Sequence, residues 1–441
     1  MDAYSVLIIG SGPAGLFAAI ELERLGVERI AVVDLHSYPA GGLLNDGKLN
    51  FDYRVGIDLA ELKLERASAE SLMQDIRKVF IRHPKCRQVT FTDQHEKIDA
   101  LADIAAEHDA QFIAPEQWHW GTDNGQAVVD YLRSHLKKTE MLLRTSVEAI
   151  TKHSDDTYHV ICNRARKPVT YAAKVVLAAP GRSGAYWFRD VAAGLGAFNN
   201  FGPIDVGIRV ELNKKFYNDV TDIVYDPKFI FRTSRHHDRV RTFCTNPGGR
   251  VRTEDYNSFK LVNGDALSRR KTENTNFALI NTIALTKPFS DTTEFGQMIA
   301  KQFFLLGGGK PIVQRVGDFR EGRRSSSATF DSKTRHFEIC KATCPATPGD
   351  ITLGLPARII DNLWESLKKI DKIVPGILHP STLLYAPEIK FFDTHFSTDE
   401  HLETNVKGLY VAGDGTGKSR GIVGAGISGL IAARGIAGKY F

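Results

Sequence analysis

A short apolar run, Ser5-Val6-Leu7-Ile8-Ile9, ends in Gly10-Ser11-Gly12-Pro13-Ala14-Gly15, and this passage restricts the fold more than any other. Apolar residues then recur with helical spacing over residues 16–25, a second short run covers 29–33, and Asp34 closes it. Strand, glycine turn, helix, strand and acid in that order read as a βαβ unit. Gly10 permits a tight turn, Gly12 lets backbone approach a pyrophosphate, and Gly15 lets helix pack on strand. The helix opened by Pro13 and Ala14 offers unpaired N–H groups to phosphates. Asp34 puts a carboxylate where the hydroxyls of an adenosine ribose can be accepted, and it disfavours a 2′-phosphate. A chance βαβ unit would have to explain glycines, spacing and acid together, so the reading is a dinucleotide site.

The far end of the chain restores this grammar. Gly408-Leu409-Tyr410-Val411-Ala412 reads as a strand, Gly413-Asp414-Gly415 as a turn, and 423–437 as a helix of small residues. Asp414 at a strand end suits ribityl hydroxyls and backbone contacts near a pyrophosphate. Gly421-Ile422-Val423-Gly424-Ala425-Gly426 opens the helix, and its amide end would stabilise negative charge on N1 and O2 of a reduced flavin. Taken alone this tail is equally an ordinary βα unit closing a sheet. Beside the N-terminal fingerprint, FAD is the better account, because a nicotinamide site needs only its own βαβ unit.

Between the ends, helical spacing runs over 57–84 and 126–139. Strand-like runs at 141–150, 156–163 and 168–173 suggest a small meander, and 174–178 is a buried-strand pattern leading into Ala179-Pro180-Gly181. From about residue 203 to 380 the character changes. Alternating stretches such as 205–211 and 240–243 read as strands, broken by polar turns, with helices near 294–305 and 359–370. Two or three domains fit in 441 residues. With 42% hydrophobic and 25% charged residues a large core is available, and disordered or low-complexity classes are excluded.

A net charge of +5 is mild for this length, and the basic clusters at 232–241 and Arg323-Arg324 join no nucleic-acid signature. Five cysteines, an odd number, do not form a disulfide framework. The N-terminus has no basic leader, and no stretch approaches the roughly 18 apolar residues that span a bilayer. The expectation is a cytoplasmic protein with no membrane span and no nucleic-acid partner.

Further motifs narrow the reading. Gly10 through Ala19, Asn45-Asp46-Gly47-Lys48-Leu49, His119-Trp120-Gly121-Thr122-Asp123 and Asp205-Val206-Gly207-Ile208-Arg209-Val210-Glu211 follow one another along the chain. Arg241-Thr242-Phe243-Cys244-Thr245-Asn246-Pro247-Gly248-Gly249, Asn263-Gly264, Gln314-Arg315-Val316-Gly317-Asp318-Phe319 and the tail from Gly413 to Gly429 complete the series. In these the chain resembles the FAD-dependent dehydrogenase family of the two-dinucleotide-binding-domain flavoproteins, related to geranylgeranyl reductases and aromatic-hydroxylase-fold flavoproteins. The resemblance implies an α/β fold, with a Rossmann-like FAD-binding domain built from discontinuous segments, 1–202 and 386–441. An inserted α+β substrate domain, 203–385, would contain a mixed or antiparallel sheet. Gly10, Gly12, Gly15 and Asp34 would bind the ADP half of FAD. Gly413, Asp414 and the turn through Gly421, Ile422 and Val423 would hold the ribityl and isoalloxazine half. Ala179 and Gly181 would occupy the family's Ala-Thr-Gly turn, where Pro180 replaces the usual Thr and removes a hydroxyl. Asp414 stands where closer-looking members have Glu.

Other candidates are thinner. The stretch Gly41-Gly42-Leu43-Leu44-Asn45-Asp46-Gly47-Lys48 is either a surface loop or a loop beside the flavin. Its position after the adenosine-binding strand favours the second, with Gly42 giving close approach and Lys48 setting charge near the ring. His119 lies between Trp118 and Trp120, so it is core packing or a flavin-side group. Arg209 and Arg241, in strand-like segments, each pair with a substrate acid or with Glu211. Lys48, His119 and Arg209 are thus the weak catalytic candidates. Cys340 and Cys344 lack thioredoxin-like and metal-ligand spacing, so ordinary thiols are expected and no metal site.

The function expected is hydride transfer between flavin N5 and an organic substrate, by reduction or dehydrogenation of a carbon–carbon bond. A flavin monooxygenase and an FAD-containing binding protein with a structural flavin are the alternatives. The substrate is a small molecule. Electrons come either from transiently docked NAD(P)H or from a separate donor protein, since no second nicotinamide-type motif is present.

Overall fold

The computed structural model describes residues 3–38, 40–44, 47–90, 94–256, 258–330, 339–391 and 394–441. Two compact units divide the chain. The first comprises Met1–Arg87, Trp118–Gly202 and Phe392–Phe441, and the second Gln88–Gln117 and Pro203–Phe391. The expected segment 1–202 therefore yields residues 88–117 to the second unit, and the return falls at 392 rather than 386. The reason is local. Strand Ala110–Ile113 pairs with Lys228–Arg232 at the edge of the second unit's sheet, and helix His95–Glu107, which the sequence reading missed, leads into it.

In the first unit a seven-stranded sheet runs in the order Glu140–Leu142, Ile30–Val33, Ala3–Ile9, Lys167–Ala178, Tyr158–Arg164, Thr145–Lys152, with Leu409–Val411 also paired to Lys167–Ala178. The last meander strand and the buried strand expected at 174–178 are one 12-residue strand. It changes partner midway: residues 167–173 run antiparallel to Tyr158–Arg164, and 176–178 parallel to Leu409–Val411. Strand residues alternate faces, so Val6, Ile8, Ile30 and Val32 pack with helices Pro13–Arg24, Arg66–Phe80 and Gly421–Tyr440. Leu7, Ile9, Ala31 and Val33 pack in a second cluster with Phe188 and Ala192 of helix Gly181–Gly194. Helices on both faces explain why these strands read as unbroken apolar runs. The helical spacing over 57–84 resolves into helix Arg66–Phe80 preceded by turns.

Helix Gly421–Tyr440 is long and apolar enough to cross a membrane, contrary to the expectation that no stretch qualifies. Here it is mostly buried. It lies against helix Pro13–Arg24 so closely that a Cβ on Gly429 would stand 2.2 Å from the Ala14 carbonyl oxygen. Its small residues thus serve helix contact within the unit.

The second unit is α+β. Its eight-stranded sheet runs Thr347–Pro348, Ile312–Arg315, Leu383–Lys390, Ile204–Asn213, Asn274–Ile283, Arg239–Pro247, Lys228–Arg232, Ala110–Ile113. All pairs are antiparallel except the parallel pair of Ile312–Arg315 with Thr347–Pro348, so the sheet is mixed. On one face Ile204, Val206, Ile208, Val210 and Leu212 form a core with helices Thr292–Leu306 and Ala357–Ile373.

Candidate active site

The first unit's parallel strands end in one row. Leu142, Val33, Ile9, Ala178 and Val411 are successive Cα partners across the sheet. Every turn that leaves those strands therefore emerges at the same carboxyl edge, where open α/β sheets bind ligands. The turns are Gly10 to Gly12, Asp34 to His36, Leu143 to Arg144, Ala179 to Gly181 and Gly413 to Gly415, several of them distant in sequence. Backbone hydrogen bonds join them. Gly10 N donates to Val33 O at 2.8 Å, Ala179 N to Ile9 O at 2.8 Å, and Ala412 N to Ala178 O at 2.9 Å.

The three N-terminal glycines have three different surroundings. Gly10 has φ +98°, and a Cβ on it would stand 2.2 Å from the Ala179 carbonyl oxygen. A Cβ on Gly15 would stand 1.9 Å from the Gly10 carbonyl oxygen. At Gly12 the nearest atom would be Gly41 Cα at 3.8 Å. Protein thus excludes a side chain at Gly10 and Gly15, whereas a side chain at Gly12 would make no more than ordinary contact with Gly41. No side chain caps helix Pro13–Arg24 at this end, which leaves its N-terminus to a ligand.

Asp34 has a structural task that the sequence did not announce. One carboxylate oxygen accepts from the Ser11 N–H at 2.9 Å and from the Ser11 hydroxyl, and the other accepts from His36 N at 2.8 Å. Asp34 so ties the glycine turn to the second strand. A carboxylate has about four acceptor sites, and one is left for a ribose hydroxyl.

At the other end of the row the turns meet directly. A Cβ on Gly415 would stand 2.1 Å from the Gly181 carbonyl oxygen, and the Arg182 guanidinium lies 3.8 Å from the Asp414 carboxylate. Ser419 Oγ donates to Asp414 at 3.3 Å. Burial pushes the Asp414 carboxyl up, with Arg182 pulling the other way. Ile422 and Val423 are buried in the first turn of the last helix, and the Asp414 carboxylate accepts from the backbone N–H of Gly421 where that helix begins.

Close approach in the 41–48 stretch falls on Gly41 rather than Gly42. Gly41 has φ +49°, and a Cβ there would stand 2.8 Å from Gly12 Cα, whereas Gly42 meets nothing within 4 Å. Asn45 and Asp46 lie outside the described residues. Lys48 and His119 are both buried in this unit, and Trp120 stacks on Phe80 with ring centroids 5.6 Å apart. Arg209 lies in the second unit, fully buried, with both Nε and Nη2 at 2.6 Å from Glu388. Glu211 instead accepts from Tyr385 at 2.7 Å and Asn274 at 3.1 Å. Cys340 and Cys344 are buried free thiols, and burial pushes Cys344 up to about 11.

Sequence reasoning missed a partly buried cluster beside the last turn. Lys418 Nζ lies 2.5 Å from Glu61, which His395 Nδ1 approaches at 3.5 Å. Burial raises the Glu61 carboxyl, but hydrogen bonds from His395 and Lys418 outweigh it and hold the group below its usual range. Nothing in the spacing of residues 61, 395 and 418 could have joined them.

The cradle fits FAD: a Gly12 that no protein atom crowds, the N-terminus of helix Pro13–Arg24 beside it, and the acids Asp34 and Asp414 on one row of turns. The family described as FAD binding domain matches residues 5–279, and that described as FAD-dependent protein, C-terminal domain-like, matches 203–390. An uncharacterized protein of Clostridium beijerinckii is 26% identical over 465 residues, covering 98% of this chain and 81% of that one. Among solved structures, a geranylgeranyl bacteriochlorophyll reductase-like protein of Thermoplasma acidophilum is similar at TM-score 0.44 and 13% identity, covering 99% of this chain and 79% of that one. p-Nitrophenol 4-monooxygenase of Pseudomonas putida is similar at TM-score 0.40 and 12% identity, covering 100% and 80%.

Proposed function

This chain belongs to the FAD binding domain family and is an FAD-dependent oxidoreductase; from that premise we propose that it transfers a hydride between flavin N5 and a small organic substrate, reducing or dehydrogenating a carbon–carbon bond. Bound FAD supplies the hydride chemistry, which no side chain can perform. The protein's share is binding, orientation and electrostatics. The helix that begins at Pro13 takes the pyrophosphate on its N-terminal amides, while Gly12 leaves the space for it. Asp34 accepts from the ribose, and Asp414 with the turn at Ala179 to Gly181 takes the ribityl side. The N-terminal end of helix Gly421–Tyr440 favours negative charge on the pyrimidine ring.

One observation carries this reading: four turns, from opposite ends of the sequence, stand in register on one sheet edge. The test is spectroscopic. Freshly purified protein is expected to hold FAD, to lose its band near about 450 nm on anaerobic reduction, and to regain it on adding an organic acceptor. Reduction by NADPH alone separates direct nicotinamide supply from a donor protein. Absence of FAD in fresh protein refutes the proposal, and bound flavin that no reductant bleaches reduces the cofactor to a structural part.

A further inference from the structure

The second unit's sheet has two unlike faces. Directly opposed residues of antiparallel strands share a face, so the register places Asp205, Arg209, Arg241, Phe243, Glu388 and Lys390 together, opposite the helix-covered core. Lys228 joins them from the next strand, two residues before Ile230, the partner of Arg241. Arg241 comes from the basic stretch 232–241, and Asp205, Lys228, Glu388 and Lys390 join it from elsewhere in the chain.

Around the ring of Phe243 stand three cations. Arg241 Cζ is 4.9 Å from its centroid, Lys228 Nζ 5.6 Å and Lys390 Nζ 5.7 Å. Each has a carboxylate: Asp205 at 2.5 Å, Asp226 at 2.6 Å and Glu388 at 2.9 Å. Glu388 is also held by Arg209 at 2.6 Å, so two cations divide one acid. The Arg241 Nε is buried with no hydrogen-bond partner among the described residues.

Folding does not ask for this arrangement. Buried ion pairs cost desolvation, and well-packed apolar residues often replace them with no loss of stability. One end of the face is packed shut: a Cβ on Gly264 would stand 2.4 Å from Arg209 Nη1 and 2.2 Å from Asn276 Oδ1. At the other end Phe243 and Arg241 are only partly buried. Burial and repulsion from Arg241 also hold the neighbouring Arg239 below its usual range.

We propose that this end of the face binds the oxyanion of a small organic molecule, a carboxylate or a phosphate ester, between Arg241, Lys228 and Lys390, with Phe243 as its apolar floor. A guanidinium fork beside ammonium groups matches either oxyanion. The inference supplies a substrate class for the oxidoreductase reading and rests on that reading only for calling the ligand a substrate.

The experiment is calorimetric titration of the FAD-loaded protein with benzoate and, separately, with inorganic phosphate. Saturable binding of at least one is expected, and which one assigns the oxyanion. Arg241→Gln should weaken it by roughly tenfold or more, the loss typical of a truncated charge contact. Because that variant leaves Asp205 buried without its arginine, the double variant Asp205→Asn, Arg241→Gln is titrated beside it, with flavin content and far-ultraviolet dichroism reporting the fold. No saturable heat with either anion overturns the inference, and so does unchanged binding in a folded double variant. Both results are read on protein carrying reducible FAD, so they leave the oxidoreductase proposal intact. Loss of flavin redox chemistry would refute that proposal without touching anion binding.

Discussion

Gly12→Ala separates cofactor binding from folding more sharply than any other change in the glycine turn. Gly12 sits at φ −71° and ψ −173°, extended backbone open to any residue, and a Cβ there would meet only Gly41 Cα at 3.8 Å. The apoprotein should tolerate the methyl. By restricting the unfolded chain it is even expected to add about 0.4–1 kcal/mol of stability. FAD should not tolerate it, because the methyl occupies the approach of the pyrophosphate to the helix N-terminus. Hydrogen bonds to charged groups contribute about 1.5–3 kcal/mol. Losing one weakens affinity by roughly 10- to 150-fold.

The control is Gly15→Ala, whose methyl would stand 1.9 Å from the Gly10 carbonyl oxygen. That overlap forces backbone apart and should cost the apoprotein about 1–3 kcal/mol, as overpacking does. Apoprotein melting and FAD titration by quenching of flavin fluorescence measure both terms. Wild-type FAD affinity in Gly12→Ala would refute the phosphate placement, and so would a destabilised apoprotein of that variant beside an unaffected Gly15→Ala.

Two further outcomes are expected. Gly429→Ala should destabilise the protein by about 1–3 kcal/mol in urea unfolding, because its methyl must push helix Gly421–Tyr440 off the Ala14 carbonyl 2.2 Å away; unchanged stability would show that the helices are not in that contact. Asp238, held below the usual carboxylate range by hydrogen bonds from Arg358 at 2.7 Å, should stabilise the fold fully above its ordinary value of 3.8 and progressively less as pH falls through its lower folded value. Asp238→Asn should flatten that part of the acid limb in unfolding titrations, and an unaltered limb would remove the ion pair from the account.

The N-terminal unit was legible because its constraints are local. Gly10, Gly12 and Gly15 act within one turn, and the strand-turn-helix order needs no distant partner. The turn at Asp414 was legible for the same reason, as a glycine turn between a strand and a helix. Arg209 was not. Glu211 is its near neighbour on the strand, yet Glu388, on the adjacent strand, accepts from its Nε and Nη2. Residues 88–117 were misassigned because strand Ala110–Ile113 has only four residues, and its sheet is chosen by pairing with Lys228–Arg232.

By itself the sequence determined the dinucleotide fingerprint, the alternation of a helix-backed parallel sheet with an inserted antiparallel part, and the residue types at the cofactor turns. Those follow from backbone sterics and hydrophobic period, which act over a few residues. Tertiary structure alone decided that the turns at residues 10, 34, 179 and 413 share one edge, because strand register aligns Val33, Ile9, Ala178 and Val411. It alone gathered Lys228, Arg241 and Lys390 around Phe243. Register is a relation between strands far apart in the chain, and a charge acquires its partner only when that relation is set.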